Sequence, residues 1–278
     1  MKRLATAAVA LPVLIASIVY PPVHFVFVLL AVVATTLGLY EFWFLARKRG
    51  AKPDVVVGYA ASAAMLLAFV FDQLALLLPI VVALVIAALA AEMLRGAPFE
   101  KMIASTGATV LGVLYVVLLG GHLVAVRTGF SSPYAFTSHE NLSTHLLGFF
   151  FLVLMGSDTG AYYTGRALGK HKLAPTVSPG KTWEGAAGGL AASLLMATLA
   201  HYWFFPELSL RAALPLAAVM NVLGVAGDLT ESALKRGAGA KDAASFLPGH
   251  GGFLDRLDSL LFNAPLLYYF AAYYFTRG

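Results

Sequence analysis

Cysteine is absent from the 278 residues, so disulfide frameworks, thiolate nucleophiles and Cys-ligated zinc or iron–sulfur centres are all excluded. Charge is scarce too. Asp, Glu, Lys and Arg make up 12% of the chain, against about 25% in a soluble domain, which leaves too little polar surface to cover a soluble fold. With 60% of residues apolar, the chain reads as an all-α, polytopic integral membrane protein. No internal repeat at a fixed period and no low-complexity segment beyond Ala/Leu/Val bias is present.

A membrane helix needs roughly 20 apolar residues. Runs of that kind fall at about 4–20, 23–45, 55–71, 74–91, 105–126, 143–157, 185–205, 210–227 and 259–276, giving about nine expected spans. The first five make up an N-terminal transmembrane region, 1–142. The last four, with polar loops at 158–184 and 228–258, make up a C-terminal region, 143–278, where the chemistry is expected. Only Pro21 and Pro22 separate the first two runs, and only Asp72 and Gln73 the third and fourth, so both pairs read as tight helical hairpins. The first run follows Lys2 and Arg3 like a signal peptide but has no convincing cleavage site before the second, and is read as an uncleaved span.

The formal charge of +5 suggests nucleic acid until it is located. Alternating sides through nine spans leaves only Arg127, Arg211 and Arg277 of the 19 basic residues on the side opposite Lys2 and Arg3. That asymmetry is a positive-inside signal. It predicts a multi-pass protein of the cell (inner or plasma) membrane with the N-terminus and both polar loops cytoplasmic, and it removes the support for a nucleic-acid partner.

In the second polar loop, a helix continuing past Gly227 would set Asp228, Glu231 and Ser232 at i, i+3, i+4 on one face. Asp255, Asp258 and Ser259 repeat that spacing at the start of the last span. Clustered carboxylates at a membrane edge require a compensating cation. Hard oxygen ligands suit Mg²⁺, which completes its shell with water and phosphate oxygens. Lys235, Arg236, Lys241 and Arg256 are available to neutralise phosphate, and His250, Gly251 and Gly252 could bring backbone N–H groups close to an anion. Each also has a plainer reading: Asp255 serving the helix dipole, Lys235 and Arg236 setting topology, His250 standing in a turn.

The first loop interleaves glycines with Arg166, Lys170, Lys172 and Lys181 beside Asp158, and contains Ser178, Thr182 and Glu184. Gly180-Lys181-Thr182 imitates a P-loop, but the glycine that motif needs five positions earlier is Pro175 here. Ordinary positive-inside bias remains its alternative. Glu41 and Glu92, near span ends, are candidate functional acids, although Arg47 and Arg95 could simply pair with them. The scattered histidines make no ligand spacing.

The stretch Ser232-x-x-Lys235-Arg236-x4-Lys241-Asp242, continued by Leu247-Pro248-x-His250-Gly251-Gly252-Phe253-x-Asp255-Arg256-Leu257-Asp258, resembles the signature of the membrane-integral phosphatidate cytidylyltransferases, or CDP-diacylglycerol synthases. Ser157-Asp158-Thr159-Gly160-Ala161-Tyr162 and Ser178-Pro179-Gly180-Lys181-Thr182-x-Glu184-Gly185 are similar to that family's other loop. The likeness is close over about 157–259, and in hydropathy alone over the first five spans. It implies CTP and phosphatidate as substrates, CDP-diacylglycerol and pyrophosphate as products, Mg²⁺ with a possible second cation such as K⁺, and a homodimer in the bilayer. It carries the metal-binding acids onto Asp228, Asp255 and Asp258. It also implies Asp228, Lys235, Arg236, Lys241, Asp255, Arg256 and Asp258 as the catalytic set, and Asp158, Ser178, Lys181, Thr182, Glu184, Ser232, His250, Gly251 and Gly252 as substrate-binding. A CTP-dependent lipid kinase of the dolichol or phytol type would use similar chemistry but release CDP. An ion-coupled transporter would need its acids at mid-span.

Overall fold

A computed structural model describes residues 2–97, 99–130, 141–240 and 252–276, with backbone only for 2–10 and 276. Lys2–Val19 (α1) turns at Pro21–Val23 into His24–Lys48 (α2), and Val55–Val70 (α3) turns at Asp72 into Leu77–Arg95 (α4). Both turns fall where proline or a short polar break interrupts the apolar pattern. Asp54 starts α3 as its N-cap, accepting from the Val56 and Val57 N–H groups at 3.1 and 2.9 Å. Met102–Gly112 (α5) and Leu119–Gly129 (α6) form one rod through a π-helical turn at Val113–Leu118. Leu142–Leu168 (α7), Trp183–Trp203 (α8), Leu210–Gly237 (α9) and Leu254–Thr276 (α10) complete the helices.

By length and composition, five described helices can cross a membrane: Pro21–Lys48, Leu74–Arg95, Phe99–Gly129, Leu142–Leu168 and Leu210–Gly237. Val55–Val70 is a shorter apolar helix. Leu78, Ile86, Leu195 and Val222 are large, apolar and exposed, as side chains are in a protein solvated by lipid. This is an all-α membrane protein with one small exception. Lys172–Ala174 (β1) and Ser178–Thr182 (β2) pair antiparallel, Lys172 opposite Thr182 and Ala174 opposite Ser178, across a turn opened by Pro175.

Two of the expected boundaries move. The first polar stretch is helical as far as Leu168 because it packs tightly on α8, and Thr159 satisfies its own hydroxyl on Met155 O at 2.7 Å. The second is helical up to Gly237 and again from Leu254. Small residues at every fourth position of α8, Gly185, Gly189, Ser193 and Ala197, are buried, and a side chain on Gly160 of α7 would strike Gly188 O and the Ala192 methyl. Such stripes let membrane helices approach backbone to backbone.

One core surrounds Phe149, Phe150, Val153, Ala217 and Met220. A second packs Leu39, Phe42, Trp43 and Met65 against Leu254, Leu257 and Leu261. Helix α10, from the expected C-terminal region, therefore shares a core with helices of the N-terminal one.

Candidate active site

Where α7, α8, α9 and α10 meet the β-hairpin, a cavity of about 590 Å³ opens, lined by Asp158, Lys181, Asp228 and Asp258 among others. Helix packing brings these acids together. A Cβ on Gly227 would collide with Asp258 O and lie 3.4 Å from Ser259 Cα, so α9 and α10 touch through their backbones at Asp258 itself and one residue before Asp228. The charges of Asp158, Asp228 and Asp258 act on one another across the cavity. Lys181 of β2 reaches in to form an ion pair with Asp228, and Ser232 Oγ donates to Asp228 Oδ1 at 3.4 Å.

Tyr162 and Arg166 line the same cavity one and two turns beyond Asp158, joined by Arg166 Nη1 donating to Tyr162 Oη at 3.1 Å. Their i, i+4, i+8 spacing from Asp158 was the signal for them, legible once α7 is carried past Ser157. Asn221 Nδ2 donates at 2.7 Å to the buried Oγ of Ser157, which lines the cavity. Tyr115, in the π-helical turn, is a contribution from the N-terminal helices that no motif announced. Its buried hydroxyl has no hydrogen-bond partner among the described residues and lies within electrostatic reach of Glu231, Asp258 and Asp228.

Beside the cavity, Lys235 Nζ bridges two acids, 2.5 Å from the buried Glu231 Oε2 and 2.6 Å from Asp255 Oδ1. Asp255 Oδ2 accepts from the Gly252 N–H at 2.8 Å. Asp255 thus has both oxygens engaged and does not line the cavity, whereas Asp158, expected as a substrate contact, faces it. Arg236 Nε is 3.5 Å from Val177 O in the hairpin turn. Lys241, His250 and Gly251 lie outside the described residues.

Ser178, Gly180 and Thr182 also line the cavity. The buried Thr182 caps α8, its hydroxyl accepting from the Gly185 N–H at 3.1 Å. Glu184 folds back on the end of α7. It accepts from the Lys170 N–H at 3.1 Å and the His171 N–H at 3.2 Å, and pairs with His171 Nδ1 at 2.6 Å. The His171 contact, with the two backbone donors behind it, holds the Glu184 carboxyl down at about 2. Thr182 and Glu184 therefore shape the hairpin that carries Lys181.

The acid arrangement fits a hard cation. Three carboxylates share one cavity, yet among the described residues no three acids or histidines form a complete metal shell. Mg²⁺ typically takes one or two carboxylates and fills its other positions with water and phosphate oxygens.

The comparisons with known proteins agree with this chemistry. The chain is 43% identical over 135 residues to a phosphatidate cytidylyltransferase of Haemophilus influenzae, covering 47% of this chain and 46% of that protein. It is 46% identical over 142 residues to one of Staphylococcus saprophyticus, covering 51% and 54%. With one of Bacillus subtilis it shares 42% over 153 residues, covering 54% and 56%. The chain spans about half the length of the curated relatives it matches. A family model described as the cytidylyltransferase family matches residues 1–274, and the chain belongs to that family.

Proposed function

We propose that the protein is a phosphatidate cytidylyltransferase. It joins CTP to phosphatidate, giving CDP-diacylglycerol for phospholipid synthesis and releasing pyrophosphate. The observation that carries this reading is the cavity where three carboxylates, Lys181 and Arg166 converge between α7, α9, α10 and the hairpin. A triphosphate and a lipid phosphate both need that mixture of metal-holding acid and phosphate-pairing base.

The phosphatidate phosphomonoester is already an anionic nucleophile, so the protein's task is positioning and charge neutralisation. An oxygen of the lipid phosphate bonds to the CTP α-phosphorus, and the bond from that phosphorus to the bridging oxygen of the pyrophosphate breaks. Lys181 and Arg166 hold phosphate oxygens from the hairpin side and the α7 side. Lys235, Arg236, Lys241 and Arg256 supply further positive charge to the departing pyrophosphate, with Lys235 kept in place by Glu231 and Asp255. Ser178, Ser232, His250, Gly251 and Gly252 are assigned to nucleotide binding on the family resemblance, and Ser178 lines the cavity. Mg²⁺ would be held by Asp228 and Asp258, with Asp255 able to join only by releasing Lys235, and would stabilise the charge developing on the phosphates. Asp158 adds negative charge for a second cation such as K⁺.

Exposed Tyr162, which lines the cavity, and Trp183, next in sequence to the lining Thr182, support lipid access from the side, since such rings favour the membrane interface. We extend the reading to nine spans in the cell membrane, with the N-terminus and the cavity mouth cytoplasmic, and to a homodimer.

The test supplies the purified protein with phosphatidate, Mg²⁺ and CTP labelled at its α-phosphate, with and without EDTA. Label in a lipid with pyrophosphate released, both lost in EDTA, is the expected result. Label left in water-soluble CDP would make the protein a lipid kinase, and absence of any lipid-dependent turnover would sink the enzymatic reading.

A further inference from the structure

Glu41 is fully buried in an otherwise apolar stretch of α2, and a carboxylate there is costly unless something occupies it. Its expected partner, Arg47, is not what it meets. Its Oε2 accepts from the Leu254 N–H at 2.7 Å, across 213 residues of chain, and Phe253 supplies a second backbone hydrogen bond. These are the first donors of α10, left without intrahelical partners at a helix start. Phe253, the residue before the helix, has no side-chain oxygen to cap them, so the acceptor comes from another helix. Gly252 allows the approach, because a Cβ there would overlap the Glu41 carboxylate.

Two turns along α2, Arg49 Nε donates to Gly237 O, the last residue of α9. One helix therefore presents a base to the C-terminus of α9 and an acid to the N-terminus of α10, each the sign that the helix dipole favours at that end. Asp228 lies on the first of those helices and Asp258 on the second, one turn beyond the capped donors. Gly38, a turn before Glu41, comes against Leu257, whose Cδ1 would be 3.1 Å from a Cβ there, so the contact is close-packed as well as polar.

We infer that Glu41 is a positioning residue for the transfer reaction, its carboxylate fixing the start of α10 and with it Asp258 opposite Asp228. The inference rests on the cytidylyltransferase reading and adds a residue from outside the polar loops. Glu41 touches neither the cavity nor a substrate and acts through the α10 backbone.

The test compares wild type with E41A and E41Q in detergent, reading kcat, KM for CTP, the Mg²⁺ concentration for half-maximal rate, and amide exchange in peptides covering 253–258. The glutamine keeps an acceptor oxygen for the Leu254 N–H. E41A should lose roughly ten- to a hundredfold in kcat and need more Mg²⁺, as outer-shell changes around a metal site do. Its KM for CTP should change less than its kcat, since Lys181 on the hairpin is untouched while Gly252 borders Glu41. Exchange at 253–258 should accelerate while α8 stays as in wild type, and E41Q should recover most of both. Should E41A not survive extraction, E41D, which withdraws the carboxylate by one methylene, replaces it. E41A matching wild type in rate and exchange would overturn the inference, as would a uniform rise in exchange across all helices. A wild-type protein that makes no CDP-diacylglycerol overturns the reaction itself, and is told apart because the exchange contrast between E41A and E41Q would persist.

Discussion

Lys181 of the hairpin and Asp228 of α9 are paired across the cavity that α7 and α10 close from the other sides. A base from a short β-hairpin thus meets an acid carried inside α9. A nucleotide entering here has to share or displace that contact. K181A should raise KM for CTP by about ten- to a hundredfold, the range for losing a hydrogen bond to a charged group. Initial-rate kinetics over a CTP series would check this, and an unchanged KM would remove Lys181 from the nucleotide site.

Asp258 and Asp228 face the same space. D258N should reduce turnover on the order of a hundredfold or more while the protein stays folded in membranes. EDTA should do the same to wild type, reversibly on adding Mg²⁺. D255N should also lower the rate, but by loosening Lys235, and so with a smaller change in the Mg²⁺ requirement. Equal Mg²⁺ titrations for D258N and wild type would break the metal assignment.

The contact of Gly227 with the Asp258 carbonyl leaves no room for a methyl group. G227A should destabilise by about 1–3 kcal/mol, the usual cost of overpacking a tight contact, and should depress turnover by separating the two acids. Thermal unfolding in detergent, read beside the rate, gives both numbers.

Glu184 offers a pH test. Its carboxyl titrates at about 2 when held by His171 and the backbone of Lys170 and His171, and near 4.5 when released. A depressed folded value stabilises the clasp fully above 4.5 and loses that contribution as pH falls toward 2. Limited proteolysis near the hairpin should therefore stay low through mild acid and rise only below about pH 4. E184Q should already be susceptible at neutral pH.

Lys48 touches the ring of Phe44, 4.8 Å from its centroid, and is remote from the cavity lining. K48A should leave turnover within about twofold of wild type. A larger loss would bring the loop after α2 into the site.

Much of this was readable before any coordinates. Pro21-Pro22 and Asp72-Gln73 announce hairpins because proline and polar residues break an apolar run locally. The i, i+3, i+4 spacing of Asp228, Glu231 and Ser232 needs only a continued helix, and α9 continues to Gly237. What stayed hidden depends on distant partners. Helix α7 passes Asp158 because α8 offers a small-residue face, which local polarity does not reveal. Residues 172–182 form a hairpin although the surrounding fold is helical. For Glu41 the sequence offers a functional role or a simple pairing with Arg47, and neither reading points to the Leu254 N–H that it accepts from. Asp255 looked equivalent to Asp258 by spacing, yet it holds Lys235.

Ser157, which accepts from the Asn221 amide at 2.7 Å, lines the charged cavity one position before Asp158. Beyond it Phe150, Val153, Ala217 and Met220 are fully buried against one another. Helices α7 and α9 therefore each change character along their length, from a dry segment that holds the fold to a charged segment that carries Asp158 and Asp228.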